Sequence, residues 1–400
     1  MNNGSTILKL FVISVITMLA LSTVFMTQAI FLEISESFNI DIAQARFSFS
    51  IVSIFYAAAF IFLGPVVDKF DLPKIAIVGG ISLSLAIFYA SYTQSFNLFI
   101  IAMALTGICA ASIPAAMFPH MVSIAPPTKA GMYVGSIVAA STMGVVFGRV
   151  SIGIMTANMS WQIAFRILSA TIFILSLISI FTIIERNKVT LKSKENLFSL
   201  YMNSFRLLVN TNTLLLLLAG FFLFFGFLGI VTFLTYRLVA PPFNYAAGDV
   251  GLISFAGITA LIAPFSGSIS QKIGQFKIIF PSLLLSIFAV QIMGWFQPII
   301  FTITGLLLLF FGVYSCQPLI FMLMTQYSPK KSIGSASSLY ILFCIGGGSI
   351  SSMVLGPVWM KYGWIGATIV CTISLTASLL LIAIIYFQNK RVSAYSYSTQ

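Results

Sequence analysis

Twelve apolar runs follow one another along this chain, with only short polar or Pro/Gly turns between most of them. They lie near residues 7–32, 46–67, 75–93, 97–118, 130–155, 162–184, 213–236, 249–270, 277–295, 299–325, 333–357 and 364–387. An α-helix needs about 20 apolar residues to cross roughly 30 Å of hydrocarbon, and most of these runs are that long. No water is present there to satisfy backbone N–H and C=O groups, so a spanning segment must be a helix or part of a closed barrel. A barrel would show strands of alternating polarity about 10 residues long, and that pattern is absent. Only 7% of the residues are charged, against roughly 25% in soluble domains, so no stretch can clothe a soluble domain. The expected fold class is therefore an all-α membrane protein with twelve transmembrane helices. Lys9 before the first run gives it the look of a signal peptide, but 7–32 is too long for one and reads as a retained span.

The lysines and arginines orient the spans. With both termini inside, Lys9, Lys69, Lys74, Lys129, Arg186, Lys188, Lys192, Lys194, Arg206, Lys272, Lys277, Lys330, Lys331, Lys390 and Arg391 are cytoplasmic, which is fifteen of the 20 basic residues. Arg46, Arg149, Arg166, Arg237 and Lys361 fall on or toward the far side. The net charge of +12 thus follows from insertion beside anionic lipid, and no basic segment is large enough to dock nucleic acid. The expected division is a six-helix bundle at 1–184, a cytoplasmic linker at 185–212, a second six-helix bundle at 213–388 and a tail at 389–400. In the linker, Leu197, Leu200, Tyr201, Phe205 and Leu208 recur at helical spacing, which predicts an amphipathic helix on the inner leaflet.

The turn after the second run recurs after the eighth. Gly64 reappears as Gly267, Lys69 as Lys272 and Lys74 as Lys277, a constant offset of 203 residues. Duplication in matching places of two hydrophobic halves is the mark of a two-bundle transporter. A glycine near a helix end admits a neighbouring helix. A carboxylate such as Asp68 can face the positive N-terminus of another helix, and Lys69 can reach carbonyl ends or lipid phosphate. Such a cluster closes a mouth, and its breakage opens it.

These features resemble the major facilitator superfamily over essentially the whole chain, and within it the bacterial drug/metabolite exporter, or antiporter, branch. The resemblance implies two pseudo-symmetric six-helix bundles. The family's loop after span two reads G-x-x-x-D-R/K-x-G-R/K-R/K. Gly64, Asp68 and Lys69 match, whereas Asp71 stands for the second Gly and Leu72 for a basic residue. The second copy keeps Gly274 and replaces the Asp with Gln271. In span five the exporter branch has G-x8-G-x3-G-P-x2-G-G. Gly135, Gly144, Gly148 and Gly153 match, while Arg149 replaces the Pro and Ile152 a Gly. Without the family, that frame is a smooth helix face for close packing. Many proton-coupled members carry an Arg four residues before a Gly in span four, but Gly107 here is preceded at that distance by Met103.

An ionisable group at membrane depth is a candidate for function. Arg149 is the foremost, with three readings open: a structural ion pair or snorkelling, substrate contact, or coupling. The acidic groups of the outer half are Glu33, Glu36, Asp41 and Asp249, and Glu33, nearest a span, is the candidate proton carrier, set against a plain solvated helix end. His120 reads as a mouth residue rather than a relay. Gln28, Tyr56, Tyr133, Tyr236, Tyr314 and Gln317 are the polar cavity candidates, and Pro114, Pro119, Pro264 and Pro318 are expected to kink spans. Cys109, Cys316, Cys344 and Cys371 read as free thiols packed among helices, and a single histidine argues against a multi-His metal centre.

The expected function is secondary active transport of a small organic molecule by alternating access. Proton-linked export of a drug-like compound, a metabolite or a secreted chelator leads, and uptake or facilitated diffusion is the alternative. Few internal charges point to a neutral, amphipathic or anionic substrate. An enzyme would need a catalytic constellation. His120 is followed by Met-Val-Ser-Ile-Ala, not an H-x4-D pattern, and no G-x4-G-K-[ST] loop is present for ATP. A non-transporting receptor or scaffold is the alternative from another class. No cofactor or metal is expected beyond an ion gradient, H+ by preference. The partners expected are the substrate and the lipid bilayer, without nucleic acid, for a monomer in a bacterial-type inner membrane.

Overall fold

The computed structural model describes residues 3–184, 196–241, 243–245 and 252–398. All regular structure among them is helical. In order come α1 (Asn3–Phe25), a 3-10 turn at Met26–Ala29, α2 (Phe31–Phe38), α3 (Ile42–Lys69), α4 (Leu72–Ala90), α5 (Phe96–Ile124), α6 (Ala130–Thr156) and α7 (Trp161–Thr182). Then follow α8 (Leu197–Val209), α9 (Thr211–Val239), a 3-10 helix at Leu252–Ile262, α10 (Ala263–Ile273), α11 (Phe276–Trp295), α12 (Ile299–Tyr327) and α13 (Ile333–Ser398).

Among the described residues, ten helical segments are long and apolar enough to cross a bilayer. The last, Lys330–Asn389, is two crossings, because α13 leaves helical geometry at Gly363 (φ 59°, ψ −149°). One more crossing is split between the 3-10 helix Leu252–Ile262 and α10, at the residues where Pro264 has no N–H to offer an α-helical bond. The twelve expected spans are thus all present. Several helices, α3 and α10 among them, outrun their apolar runs, since polar ends still make backbone hydrogen bonds. Asp68, Lys69, Gln271 and Lys272 therefore sit in the last turns of α3 and α10 and not in loops. The first span is also corrected. It runs Thr6–Ala29, as α1 to Phe25 and then the 3-10 turn, and Glu33 belongs to the separate helix α2, beyond a break at Ile30 (φ −135°, ψ 30°).

The contacts group the chain into two compact units. One holds Met1–Pro126, Ser136–Ser204 and Lys330–Ser338, and the other holds Pro127–Gly135, Phe205–Pro329 and Leu339–Gln400. Within the first, Phe60, Phe99 and Phe165 are fully buried, and the Ser84 and Ser169 hydroxyls each donate to the other residue's carbonyl at 2.9 Å, clamping α4 to α7. Trp161 Nε1 donates to Ser37 Oγ at 2.8 Å and ties the start of α7 to α2. Within the second, Ser374 and Ser378 Oγ donate to the Phe222 and Ala219 carbonyls at 2.7 and 2.9 Å, holding α13 on α9. Interhelical bonds of this kind contribute roughly 0.6 to 2 kcal/mol each in a membrane. Many other hydroxyls, such as the buried Thr17, Thr106 and Ser286, bond back one turn to their own helix, so they enter the packed interior already satisfied.

The linker contains the helix expected there, α8. Asn210 ends it and caps the next, its Oδ1 accepting from Thr213 N at 3.1 Å. Linker residues 185–195, with Arg186, Lys188, Lys192 and Lys194, lie outside the described residues, as does Asp249.

Candidate functional site

The first N–H groups of any helix lack intrahelical acceptors and carry a partial positive charge. At the start of α13 a carboxylate supplies the acceptors. Asp68 Oδ1 accepts from Gly334 N at 2.7 Å, and Oδ2 accepts from Ser335 N at 3.0 Å and from the Ser335 hydroxyl. Two glycines permit the approach. A Cβ on Gly64 would meet Ser335 Cα at 3.1 Å and Ser338 Cβ at 3.3 Å, and one on Gly334 would meet Asp68 Oδ1 at 2.7 Å. All of these residues belong to the first unit. Lys69 closes α3 with its ammonium 6.0 Å from the Phe70 ring centroid, and Lys74 is exposed on α4.

The duplicated copy makes its close contact through glycines and not through a charge. Gly267 lies backbone against backbone on Gly131, and a Cβ on Gly135 would meet Pro264 Cα at 2.7 Å, so Gly131-x3-Gly135 of α6 faces Ala263-x3-Gly267 of α10. Gln271 lines a cavity of about 450 Å³ with Gln275, Gln326, Ser270, Pro127 and Ala130, all in the second unit. Lys272 is exposed, and Gly274 caps α10 at φ 96°, a conformation that favours glycine.

The glycine frame of α6 divides. Gly144 and Gly148 press onto the α1 backbone, where added Cβ atoms would meet Met18 C at 3.0 Å and Ser22 Cα at 2.8 Å. Gly135 faces α10 instead, and Gly153 has only Ala29 Cβ, at 3.8 Å. Arg149, next to Gly148, is half-buried with its guanidinium 5.3 Å from the Phe25 ring centroid at the end of α1. Glu33 is half-buried in the first turn of α2, and Glu36 and Asp41 are exposed. Among the described residues the only other carboxylates are Asp68 and Asp71, so none of them lies in the middle of a span.

The polar candidates divide between the two units. In the first unit Gln28 is half-buried beside the break after α1, while Tyr56 is buried on α3 with its ring edge-on to Phe60 at 5.2 Å. In the second, Tyr133 is buried, Tyr314 packs edge-on to Phe227 at 5.7 Å, and Gln317 follows it one turn on. Tyr236 is exposed and stands apart, against Phe233 and Trp359. His120 is buried near the end of α5, and Cys109, Cys316, Cys344 and Cys371 are free.

Three features escaped sequence reasoning. The donors Gly334 and Ser335 stand over 260 positions from Asp68, and only the run Ser332-Ile-Gly-Ser335 at a span's start hinted at them. Tyr340 is buried with its hydroxyl 3.5 Å from the Gln317 carbonyl. Arg237 was counted only as a far-side charge. It is 8% exposed, donates to the Met293 and Phe296 carbonyls that end α11, and lies 4.7 Å from the Trp364 ring and 5.3 Å from that of Phe243.

The Major Facilitator Superfamily model matches residues 10–352. This chain belongs to that superfamily. Among relatives of this superfamily member, an uncharacterized transporter of Buchnera aphidicola subsp. Schizaphis graminum is 24% identical over 362 residues, covering 90% of this chain and 87% of the relative. Multidrug resistance protein MdtG of Salmonella paratyphi A is 25% identical over 256 residues, 62% of each chain. The solved structure of the superfamily transporter FucP in its outward conformation superposes with a TM-score of 0.75 at 16% identity, covering 95% of this chain and 99% of that one. The fold is therefore that of the superfamily, and the protein is a multi-pass membrane protein of a transporter family.

Proposed function

We propose that this protein is a proton-linked exporter of a small neutral, amphipathic or anionic organic molecule, working by alternating access, and that Asp68 on the start of α13 is the lock of one mouth. The observation that carries this reading is the Asp68 geometry. A carboxylate held by two backbone N–H groups and a hydroxyl is a strong junction that can break and re-form as one piece, because both oxygens and both glycines serve a single contact. Direction rests on the exporter-type glycines Gly144 and Gly148 packed on α1, and on a relative named for multidrug resistance. The distribution of lysine and arginine supports an inner membrane with Asp68, Lys69 and both termini on the cytoplasmic side. The absence of a mid-span carboxylate among the described residues favours a substrate without strong positive charge, and leaves Glu33 and Asp249 as the groups to test for proton coupling.

The test is metabolite profiling of cells and medium with and without the gene, followed by transport of the compound found. Inside-out vesicles should take that compound up when a pH gradient is imposed, and Asp68→Asn vesicles should not. Uptake into right-side-out cells with no effect of the gradient would replace export with facilitated entry.

A further inference from the structure

The 3-10 helix Leu252–Ile262 runs for 11 residues, although 3-10 runs longer than about four are uncommon. Its sequence has the period of its backbone. At about three residues per turn, every third side chain falls on one line. Phe255, Ile258 and Leu261 form one such line and are 50%, 57% and 49% exposed. Gly257, Ala260 and Ala263 form another, and all are buried. On the third line Ala256 is buried, and Thr259 and Ile262 are half-buried. The sequence carries the large and small lines one step further back, to Leu252 and Ser254. The segment packs along α12, within the second unit.

The same residues also suit an α-helix. At about 100° per residue Ala256, Thr259, Ala260 and Ala263 share one face. These too are small. The Thr259 hydroxyl already bonds back to the Ala256 carbonyl at 2.7 Å, so it can turn inward with a partner on its own helix. Neither form needs a large side chain between the segment and α12. With α10 held still, α-helical winding would swing Gly257 about 120° out of the packed side. The rise would fall by about 0.5 Å per residue, drawing Leu252 about 5.5 Å toward α10, close to one α-helical turn. Pro264 opposes full conversion. In the first turn of α10 its missing N–H costs nothing, but in a continuous α-helix its ring would press on the Ala260 carbonyl. The poorer bonds of a 3-10 helix weigh on the other side. We propose that Leu252–Ile262 is a two-state element that winds to α-helix and back during the transport cycle, moving its start by about one turn along α12. This rests on the alternating-access reading, and it adds a moving part within the second unit.

The experiment uses the full chain in proteoliposomes, with nitroxides at Phe255→Cys and Phe265→Cys, two exposed positions. Phe301→Cys with Phe311→Cys, also exposed and at the same sequence separation inside α12, is the α-helical ruler. The labelled parent chain is the blank. Dipolar broadening should place the first pair about 4 Å farther apart than the ruler, and an imposed pH gradient should add a population at the ruler's spacing. Gly257→Leu is bulky on the packed side only in the 3-10 form and should move the pair to the ruler's spacing. Thr259→Leu is bulky there only in the α form and should hold the pair long. Each variant should slow transport about tenfold or more at normal membrane abundance. If Gly257→Leu fails to insert, Gly257→Ala should give a smaller shift of the same sign. The ruler's spacing in the otherwise unmutated pair at rest would overturn the 3-10 form. A pair that stays long while the compound is carried would sink the switch and leave the exporter standing. Shortening under the gradient in a chain that carries nothing would keep the switch and remove the exporter. Normal transport by both variants would take the switch out of the cycle and overturn the proposal.

Discussion

Arg237 is expected to hold the second unit together rather than to move substrate, and its size of effect can be worked out. Arg237→Ala removes two charge-assisted bonds to the end of α11, each worth about 1.5–3 kcal/mol, and contacts with two rings worth about 0.5–2 kcal/mol. Against this, the cost of burying a guanidinium is recovered. The Met293 carbonyl also keeps a partner, since Trp364 Nε1 donates to it at 2.7 Å. A net loss of about 2–4 kcal/mol follows. Arg237→Lys keeps one bond at most and loses the fork, so about half that loss is expected. Arg166 is the internal control. It is half-buried, with one bond to Ser91 Oγ at 3.3 Å and its guanidinium 3.9 Å from the Tyr92 ring, so Arg166→Ala should cost only about 0.5–1.5 kcal/mol. Thermal denaturation in one detergent, read by size-exclusion fluorescence, should rank the variants Arg237→Ala, then Arg237→Lys, then Arg166→Ala. An Arg237→Ala protein of parental stability that fails to transport would refute the structural assignment.

Asp68→Asn puts an NH2 group where an oxygen accepted, facing donors on Gly334 or Ser335, so transport should fall at least about tenfold while membrane abundance on blots stays normal. If the variant is degraded, the residue serves folding. Arg149→Ala should abolish export at normal abundance, and partial activity in Arg149→Lys would indicate a point-charge partner rather than a planar carboxylate; full export by Arg149→Ala would take the residue out of the transport machinery. Gly148→Ala forces α6 away from the Ser22 backbone and should cost about 1–3 kcal/mol in the same denaturation assay, whereas Gly153→Ala, with only Ala29 nearby, should be silent.

The spans were legible because lipid imposes one requirement over about 20 residues at a time, and a run such as 213–236 meets it without help from the rest of the chain. Their ends were not, since hydropathy falls before hydrogen bonding does. Asp68 read as a loop residue for that reason, although α3 continues to Lys69. The break at Ile30 also left no mark, because Met26–Ala29 contains neither Gly nor Pro. The duplicated frame by itself singles out Gly64, Asp68 and Gly267. What Asp68 touches was barely legible, because two of its three donors are α13 backbone N–H groups and the third, the Ser335 hydroxyl, lies over 260 positions away. Arg237 failed for a different reason: a basic residue near a span end looks the same whether it reaches water or closes the end of another helix.

Gln271 stands where Asp68 stands in the first copy, and on the proposed reading the difference would act as a clock setting. Each 1.4 kcal/mol of holding energy multiplies the lifetime of a closed arrangement about tenfold. A carboxylate at Gln271 that gained even one charge-assisted bond, about 1.5–3 kcal/mol, would lengthen that lifetime about ten- to a hundredfold. On the proposed reading of Asp68 as a lock, one anionic contact and one neutral contact of packed glycines would let a closed arrangement persist long enough to be occupied and still release on the timescale of a turnover.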